Sequence, residues 1–300
     1  MRVFNEKFGA VRIWVIRNKK EIRLILIILI LVVVSEFALS QLKSPISEAP
    51  NLLAIVPSIK PTDTPFTTYT KPVIAKSERY DIYLVGDSMV HAFGPRGGQF
   101  NEILSRAFPG TFFEISNYAE ANQSILLLPA RLKEPVQAEK DLKFDPIMEG
   151  RPHLIIIESF GYNPLSQFGK EEGLKKQEEV LTEVMTTLTN HFPNTAIMFL
   201  AAIAPDKKTY GKNISHATPD ERWAQAEERI EYITNHIDYA REHNIPLINA
   251  YEESLDAQGD GDTKYINPDD NIHPSAEGLA LMGRVMTRRI QEENIFPNPE

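Results

Sequence analysis

Leu154-Ile155-Ile156-Ile157 is an unbroken run of apolar, mostly β-branched side chains, and it constrains this 300-residue chain more than any other feature. Consecutive side chains of a strand point to opposite faces, so such a run needs apolar cover on both sides. The strand is read as His153–Ile157. Ile82–Val85, stopped by Gly86, and Thr195–Ile203 follow the same pattern, and Thr111–Ile115 and Leu247–Asn249 add two shorter strands. Helical patterns lie between them: Gln99–Phe108 closed by Pro109-Gly110, Glu171–His191 ended by Pro193, Asp220–His243, and Ser275–Glu293 at the end. Buried strands alternating with helices predict an α/β fold, a five-stranded parallel sheet between two helical layers. Ligands of such folds gather beyond the carboxyl ends of the strands, where the strand order reverses. With the order 2-1-3-4-5 that point lies between the first and third strands. Residues following Val85 and Ile157 are then expected at the site.

Composition narrows the chemistry. Hydrophobic residues make up 42% and charged residues 24%, enough to bury a core. Cysteine is absent, which excludes disulfides, thiolate catalysis and Cys-ligated metals. The net charge of −9 argues against a nucleic-acid partner, which needs a basic footprint. The charge is uneven: residues 1–40 hold seven basic and three acidic residues, leaving 25 basic and 38 acidic for the rest. Behind that basic head, Leu24–Val34 is a pure Leu/Ile/Val run. We expect residues 1–23 to stay cytoplasmic and 24–40 to form one hydrophobic helix that anchors the chain in a membrane. Ala38-Leu39-Ser40 has small-x-small character, so a cleaved signal peptide is the alternative. Residues 41–78, with six prolines among Ser, Thr and Lys, read as a tether on which Leu52, Leu53, Ile55 and Val56 can dock. The folded domain is expected over 79–295, with 296–300 as a tail. A cysteine-free exported domain suits a bacterial surface.

Three short segments stand where chemistry is expected. Gly86-Asp87-Ser88-Met89 follows the first strand. It can present a serine hydroxyl at a tight turn, or simply cap a helix through Asp87 or Ser88. Glu158-Ser159-Phe160-Gly161-Tyr162-Asn163-Pro164 follows the third strand, where Asn163 offers a neutral donor suited to an oxyanion, or merely marks a turn. Asp270-Asn271-Ile272-His273-Pro274-Ser275 lies near the carboxyl end. A serine is a poor nucleophile until a base takes its proton; His273 is such a base, and a carboxylate three residues away can hold its other nitrogen. Asp269 competes with Asp270 for that role. Ser275 can cap the last helix, and a capping loop with a surface histidine is the plainer alternative.

Taken together and in this order, these segments resemble the first, third and fifth sequence blocks of the SGNH (GDSL-type) hydrolases, across roughly residues 80–292. The resemblance implies a flavodoxin-like sandwich and esterase chemistry without metal or cofactor. It implies Ser88 as nucleophile, His273 as base and Asp270 as its orienting partner. It also implies an oxyanion hole built from the Ser88 N–H, an N–H after the second strand and the Asn163 side chain. The family's second block is usually Asn-x-Gly, whereas this chain has Asn117-Tyr118-Ala119, which puts Ala119 at the donor position. Met89 and Pro164 replace the family's usual leucine and aspartate.

His91, Arg96 and Tyr162 are candidates for touching substrate, although exposure to solvent is the plainer expectation for the first two. Asp256–Asp262 shares spacing with a calcium loop, but Gln258 and Asn267 break the pattern, so a polar connector is expected. The segment Asp206–Thr218 is either a wall of the substrate cleft or only a surface loop. The reading is an extracytoplasmic serine esterase that removes, or transfers, O-acyl groups, acetyl first, of cell-envelope glycans or of small esters. A lipase or thioesterase, or a non-catalytic glycan-binding module, are the alternatives.

Overall fold

The computed structural model describes residues 66–297. The hydrophobic segment 24–40 and most of the tether lie outside the described residues. Among the described residues no helix is long and apolar enough to cross a membrane.

The main sheet is built from β1 (Arg79–Val85), β2 (Phe112–Asn117), β5 (Leu154–Glu158), β6 (Ala196–Ala201) and β7 (Leu247–Asn249). Its order is β2-β1-β5-β6-β7, and every neighbouring pair is parallel. Counting only these five strands, this is the expected 2-1-3-4-5 order. The reversal falls between β1 and β5, where Val85 pairs with Ile157.

Strand alternation divides the core in two. Leu154, Ile156, Met198 and Leu200 face one helical layer, formed by α2 (Gly98–Ala107) and α7 (Ala276–Glu292). Ile155, Ile157, Ile197 and Phe199 face the other, where α4 (Lys170–His191) contributes Leu181, Val184 and Met185. α5 (Pro219–Glu242) packs beside α4 and feeds both clusters, Ile233 into the first and Tyr232 into the second. β5 and β6 are buried along their whole length, the physical reason their sequences show no polar alternation. Each fully buried Leu or Ile contributes roughly 1.5–3 kcal/mol.

Helix ends follow local chemistry. Thr218 and Glu221 form a reciprocal capping box at α5, with Pro219 in the first turn. Ser275 caps α7 by accepting from the Gly278 N–H at 3.1 Å. Three short helices complete the fold: α1 (Ser88–His91), α3 (Leu128–Arg131) and α6 (Ala250–Glu253).

The structure departs from expectation at three places. Val136–Glu139 (β3) and Leu142–Phe144 (β4) form an antiparallel hairpin between β2 and β5. The end of the expected tether belongs to the domain: Tyr69 is buried, its hydroxyl accepts from the Ile197 N–H at 2.7 Å, and its N–H donates to the His243 carbonyl at 2.7 Å. Phe296, assigned above to the tail, is buried against Tyr80 with ring centroids 4.4 Å apart. In both cases one aromatic side chain outweighs the polar residues around it.

Candidate active site

The turn after β1 is forced by close packing. A Cβ on Gly86 would lie 2.8 Å from the Glu158 Cβ, so only glycine lets the end of β1 pass the end of β5. Asp87 follows, fully buried, and its Oδ1 accepts the Met89 N–H at 2.9 Å, capping α1. The plain capping role therefore falls to Asp87. Ser88 is half-buried as the first residue of α1, where its N–H has no intrahelical acceptor.

The loop after β5 is pinned from several sides. Phe160 holds a left-handed φ of 55°, a conformation that costs a bulky residue roughly 1–3 kcal/mol. Glu158 Oε2 accepts the Phe160 N–H at 2.9 Å. The Ser159 hydroxyl donates to Glu158 Oε1 and accepts the Gly161 N–H at 3.2 Å. Gln177, reaching from α4, donates to the Ser159 carbonyl at 2.9 Å. The loop so held delivers Asn163 to Asp87: Nδ2 donates to Asp87 Oδ2 at 2.9 Å. An amide nitrogen carries two hydrogens, which leaves one for another acceptor.

The carboxyl-terminal loop supplies an acid–imidazole pair. His273 Nδ1 and Asp270 Oδ2 are 2.8 Å apart, while Asp270 Oδ1 accepts the Ile272 and His273 N–H groups at 2.8 and 3.0 Å. Burial pushes the Asp270 carboxyl up, but the hydrogen bonds from the His273 ring, the His273 N–H and the Ile272 N–H together outweigh it and hold it below its ordinary range. Asp269, the competing carboxylate, is exposed and makes no bond to His273. A carboxylate on Nδ1 favours the tautomer whose Nε2 is an acceptor. No hydrogen bond joins the imidazole to Ser88 Oγ in this structure. The segment Asp206–Thr218 packs against this loop, through Gly211 N–H to the Asn271 carbonyl at 3.2 Å and Asn213 Nδ2 to the Pro268 carbonyl at 2.7 Å.

Four other candidates are engaged in ways their sequence positions do not reveal. The Ala119 N–H donates to Asn117 Oδ1 at 3.1 Å, so the backbone donor expected from the second block is already bonded. Asn117 itself is locked, donating to the Val90 and Gly94 carbonyls at 2.9 and 3.0 Å. His91 Nδ1 contacts the Ala119 carbonyl at 2.9 Å. His91, Ala119, Glu120 and Gln123 line a cavity of about 270 Å³ with Gln137 of the β3–β4 hairpin, so the unexpected hairpin walls a recess beside the candidate site. Arg96 pairs with Glu114 and lies over the Phe144 ring. Tyr162 is buried, and its hydroxyl donates to the Ile203 carbonyl at 3.0 Å.

Two buried groups escaped sequence reasoning. Arg131 is buried and reaches the Tyr118 carbonyl and Glu120. Glu158 is fully buried beneath the Ser88 turn. A charged residue ending an apolar strand was the available signal, since such a group is almost never fully buried without a partner. In the calcium-like segment, Asp256 Oδ1 accepts the Gln258 and Asp260 N–H groups, and Asp262 pairs with Lys264 at 2.6 Å.

Solved structures share this architecture. A GDSL-like lipase from Parabacteroides merdae is 16% identical, with a TM-score of 0.55, over 75% of this chain and 100% of that one. A lipase/acylhydrolase from Enterococcus faecalis is 15% identical, with a TM-score of 0.50, over 71% of this chain and 96% of that one. A GDSL-like lipase from Bacteroides thetaiotaomicron is 12% identical, with a TM-score of 0.50, over 75% of this chain and 93% of that one. At such identities the likeness speaks for the fold. No curated protein matches the chain. The model of the GDSL-like lipase/acylhydrolase family, however, matches residues 82–286, from the first strand into the last helix. Spanning more than half of the sequence, that match makes this chain a member of the GDSL-like lipase/acylhydrolase family and a hydrolase of ester bonds.

Proposed function

We propose that this esterase is extracytoplasmic and removes O-acyl groups, acetyl first, from cell-envelope glycans through a Ser88–His273–Asp270 triad. The observation that carries the triad is the Asp270–His273 pair at 2.8 Å, the acid–imidazole half of the proposed relay. In this reading His273 Nε2 takes the Ser88 proton as Oγ attacks the ester carbonyl. The second Asn163 amide hydrogen and the unbonded Ser88 N–H stabilise the oxyanion. His273 then protonates the leaving alcohol. Water, activated by the same imidazole, attacks the acyl-enzyme and releases the acid. The Ala119 N–H joins the hole only once it exchanges Asn117 Oδ1 for the oxyanion.

Location rests on the basic head and apolar run of the first 40 residues, which favour a single-pass anchor with the domain outside. The glycan substrate follows from that location. Fluorophosphonate labelling tests the chemistry: wild type is labelled, and Ser88→Ala and His273→Ala are not. Both variants lose roughly 10³-fold or more in p-nitrophenyl acetate hydrolysis while keeping the wild-type circular dichroism spectrum. A Ser88→Ala protein that hydrolyses like wild type removes the triad. Acetate release from cell-wall material supports the glycan substrate, and fatty-acid release from lipid in its place makes the enzyme a lipase. The mass of the mature protein distinguishes anchor from cleaved signal.

A further inference from the structure

The recess between α1, the loop after β2 and the β3–β4 hairpin encloses about 270 Å³ and takes no part in the proton relay proposed above. Its volume lies just under the roughly 300–1,000 Å³ of ordinary small-molecule sites, room for one small ring. It adjoins the serine turn. His91 stands three residues after Ser88 on α1, and residues three apart on a helix share a face. Ala119, at the second-block position, is part of the same wall, and the N–H of its neighbour Glu120 donates to the Gly86 carbonyl at 3.3 Å.

No lysine or arginine lines the recess. Three of its side chains are held by groups elsewhere in the protein, and each keeps an acceptor. His91 Nδ1 lies 2.9 Å from the Ala119 carbonyl. A carbonyl only accepts, so Nδ1 carries the hydrogen and Nε2 of the neutral ring is the acceptor. Gln137 turns its amide nitrogen onto carbonyls of its own hairpin, Leu142 among them at 3.2 Å, and keeps its amide oxygen. Glu120 pairs through Oε2 with Arg131 Nε at 3.2 Å, which leaves Oε1. On the same wall, Gln123 Oε1 is buried with no hydrogen-bond partner among the described residues, an arrangement that costs free energy until a donor reaches it.

We propose that this recess binds the alcohol half of the ester as one neutral sugar ring, with His91, Glu120 and Gln137 as the residues that set specificity. Sugar hydroxyls supply donors that these acceptors lack, whereas an alkyl chain would cover the acceptors and leave them unsatisfied. An anionic substituent meets no cation among the lining residues and faces the Glu120 carboxylate. The assignment rests on the reading of Ser88 as the nucleophile of an esterase, and it narrows the glycan proposed above to a ring with free hydroxyls beside the scissile ester.

Two acetate esters of similar shape test this: 6-O-acetylglucose, whose ring carries free hydroxyls, and cyclohexylmethyl acetate, whose ring carries none. The quantity read is the ratio of their kcat/KM values. Wild type is expected to favour the sugar ester by roughly 10-fold or more. His91→Phe keeps a flat ring without an acceptor, and Gln137→Leu keeps bulk without the amide. Each is expected to lower the ratio roughly 3- to 10-fold, chiefly through the KM of the sugar ester. A wild type that does not favour the sugar ester, or variants that leave the ratio unchanged, overturns the proposal. Gln137 is exposed on the hairpin and makes no bond to Ala119, so Gln137→Leu decides by itself if His91→Phe disturbs the second-block loop. An active Ser88→Ala protein, by contrast, overturns the triad, while the ratio compares two alcohols on one protein and still reads the recess.

Discussion

Asn163 Nδ2 donates to Asp87 Oδ2 at 2.9 Å, which ties the loop after β5 to the turn after β1 across the point where the strand order reverses. One of the two amide hydrogens is thus occupied by a buried carboxylate. In the proposed oxyanion role the amide is thus held in place before any substrate arrives, so orienting it adds no cost during the reaction.

Asn163→Ala is therefore expected to lower kcat by roughly 10²–10³ with a much smaller change in KM, because an oxyanion forms only in the transition state. Steady-state kinetics on p-nitrophenyl acetate check this. A rise in KM at constant kcat would instead mean that Asn163 binds ground-state substrate.

Asp270→Asn and Asp269→Asn separate the two neighbouring carboxylates. In Asp270→Asn the new side-chain amide would face His273 Nδ1 and favour the tautomer with its proton on Nε2, which cannot accept one from serine. The expected loss is about 10³–10⁴ in kcat. Asp269 is exposed and unbonded to the ring, so Asp269→Asn is expected to act like wild type. Equal losses in the two variants would mean that the ring bond at 2.8 Å does not set the tautomer.

His236 gives the fold an acid-sensitive element away from the site. It is fully buried on α5 and stacked on Phe199, with ring centroids 4.3 Å apart and planes at 12°. Burial pushes its pKa down from 6.5 to about 3. The unfolded chain then binds a proton that the folded chain refuses. Stability is full above pH 6.5 and falls as the pH drops from there toward 3, with a limiting slope of about 1.4 kcal/mol per pH unit. His236→Phe keeps an aromatic ring and removes the titration. Urea denaturation from pH 7.5 down to 4.5 should show a shallower loss in the variant, whereas parallel curves for the two proteins would refute the assignment.

Much of the fold was legible because its causes are local. The run at Leu154–Ile157 demanded cover on both faces, and α4 and α7 supply it through opposite strand faces. Ser275 and Thr218 stand at helix starts because their side chains satisfy backbone donors within three residues. The hairpin Val136–Phe144 escaped notice although Val136, Ala138, Leu142 and Phe144 alternate with polar residues around Lys140-Asp141. Its strands are short enough to pass for a loop, and only packing on the second core cluster makes them a wall.

Periodicity and chain order by themselves determined the buried strands, the helices between them and the parallel sheet they imply, while the strand order was implied by the family resemblance and shown by the structure. Strands and helices follow from which neighbouring residues are apolar, and that is written along one dimension. The tertiary structure alone decided which partners the polar groups take. It gave His273 to Asp270 rather than Asp269, engaged the Ala119 N–H with Asn117, turned Tyr162 inward and buried Glu158 against the Asp87 N–H. A hydrogen bond depends on ångström distances between residues far apart in the chain, 76 positions in the case of Asn163 and Asp87, and no local pattern encodes such a distance.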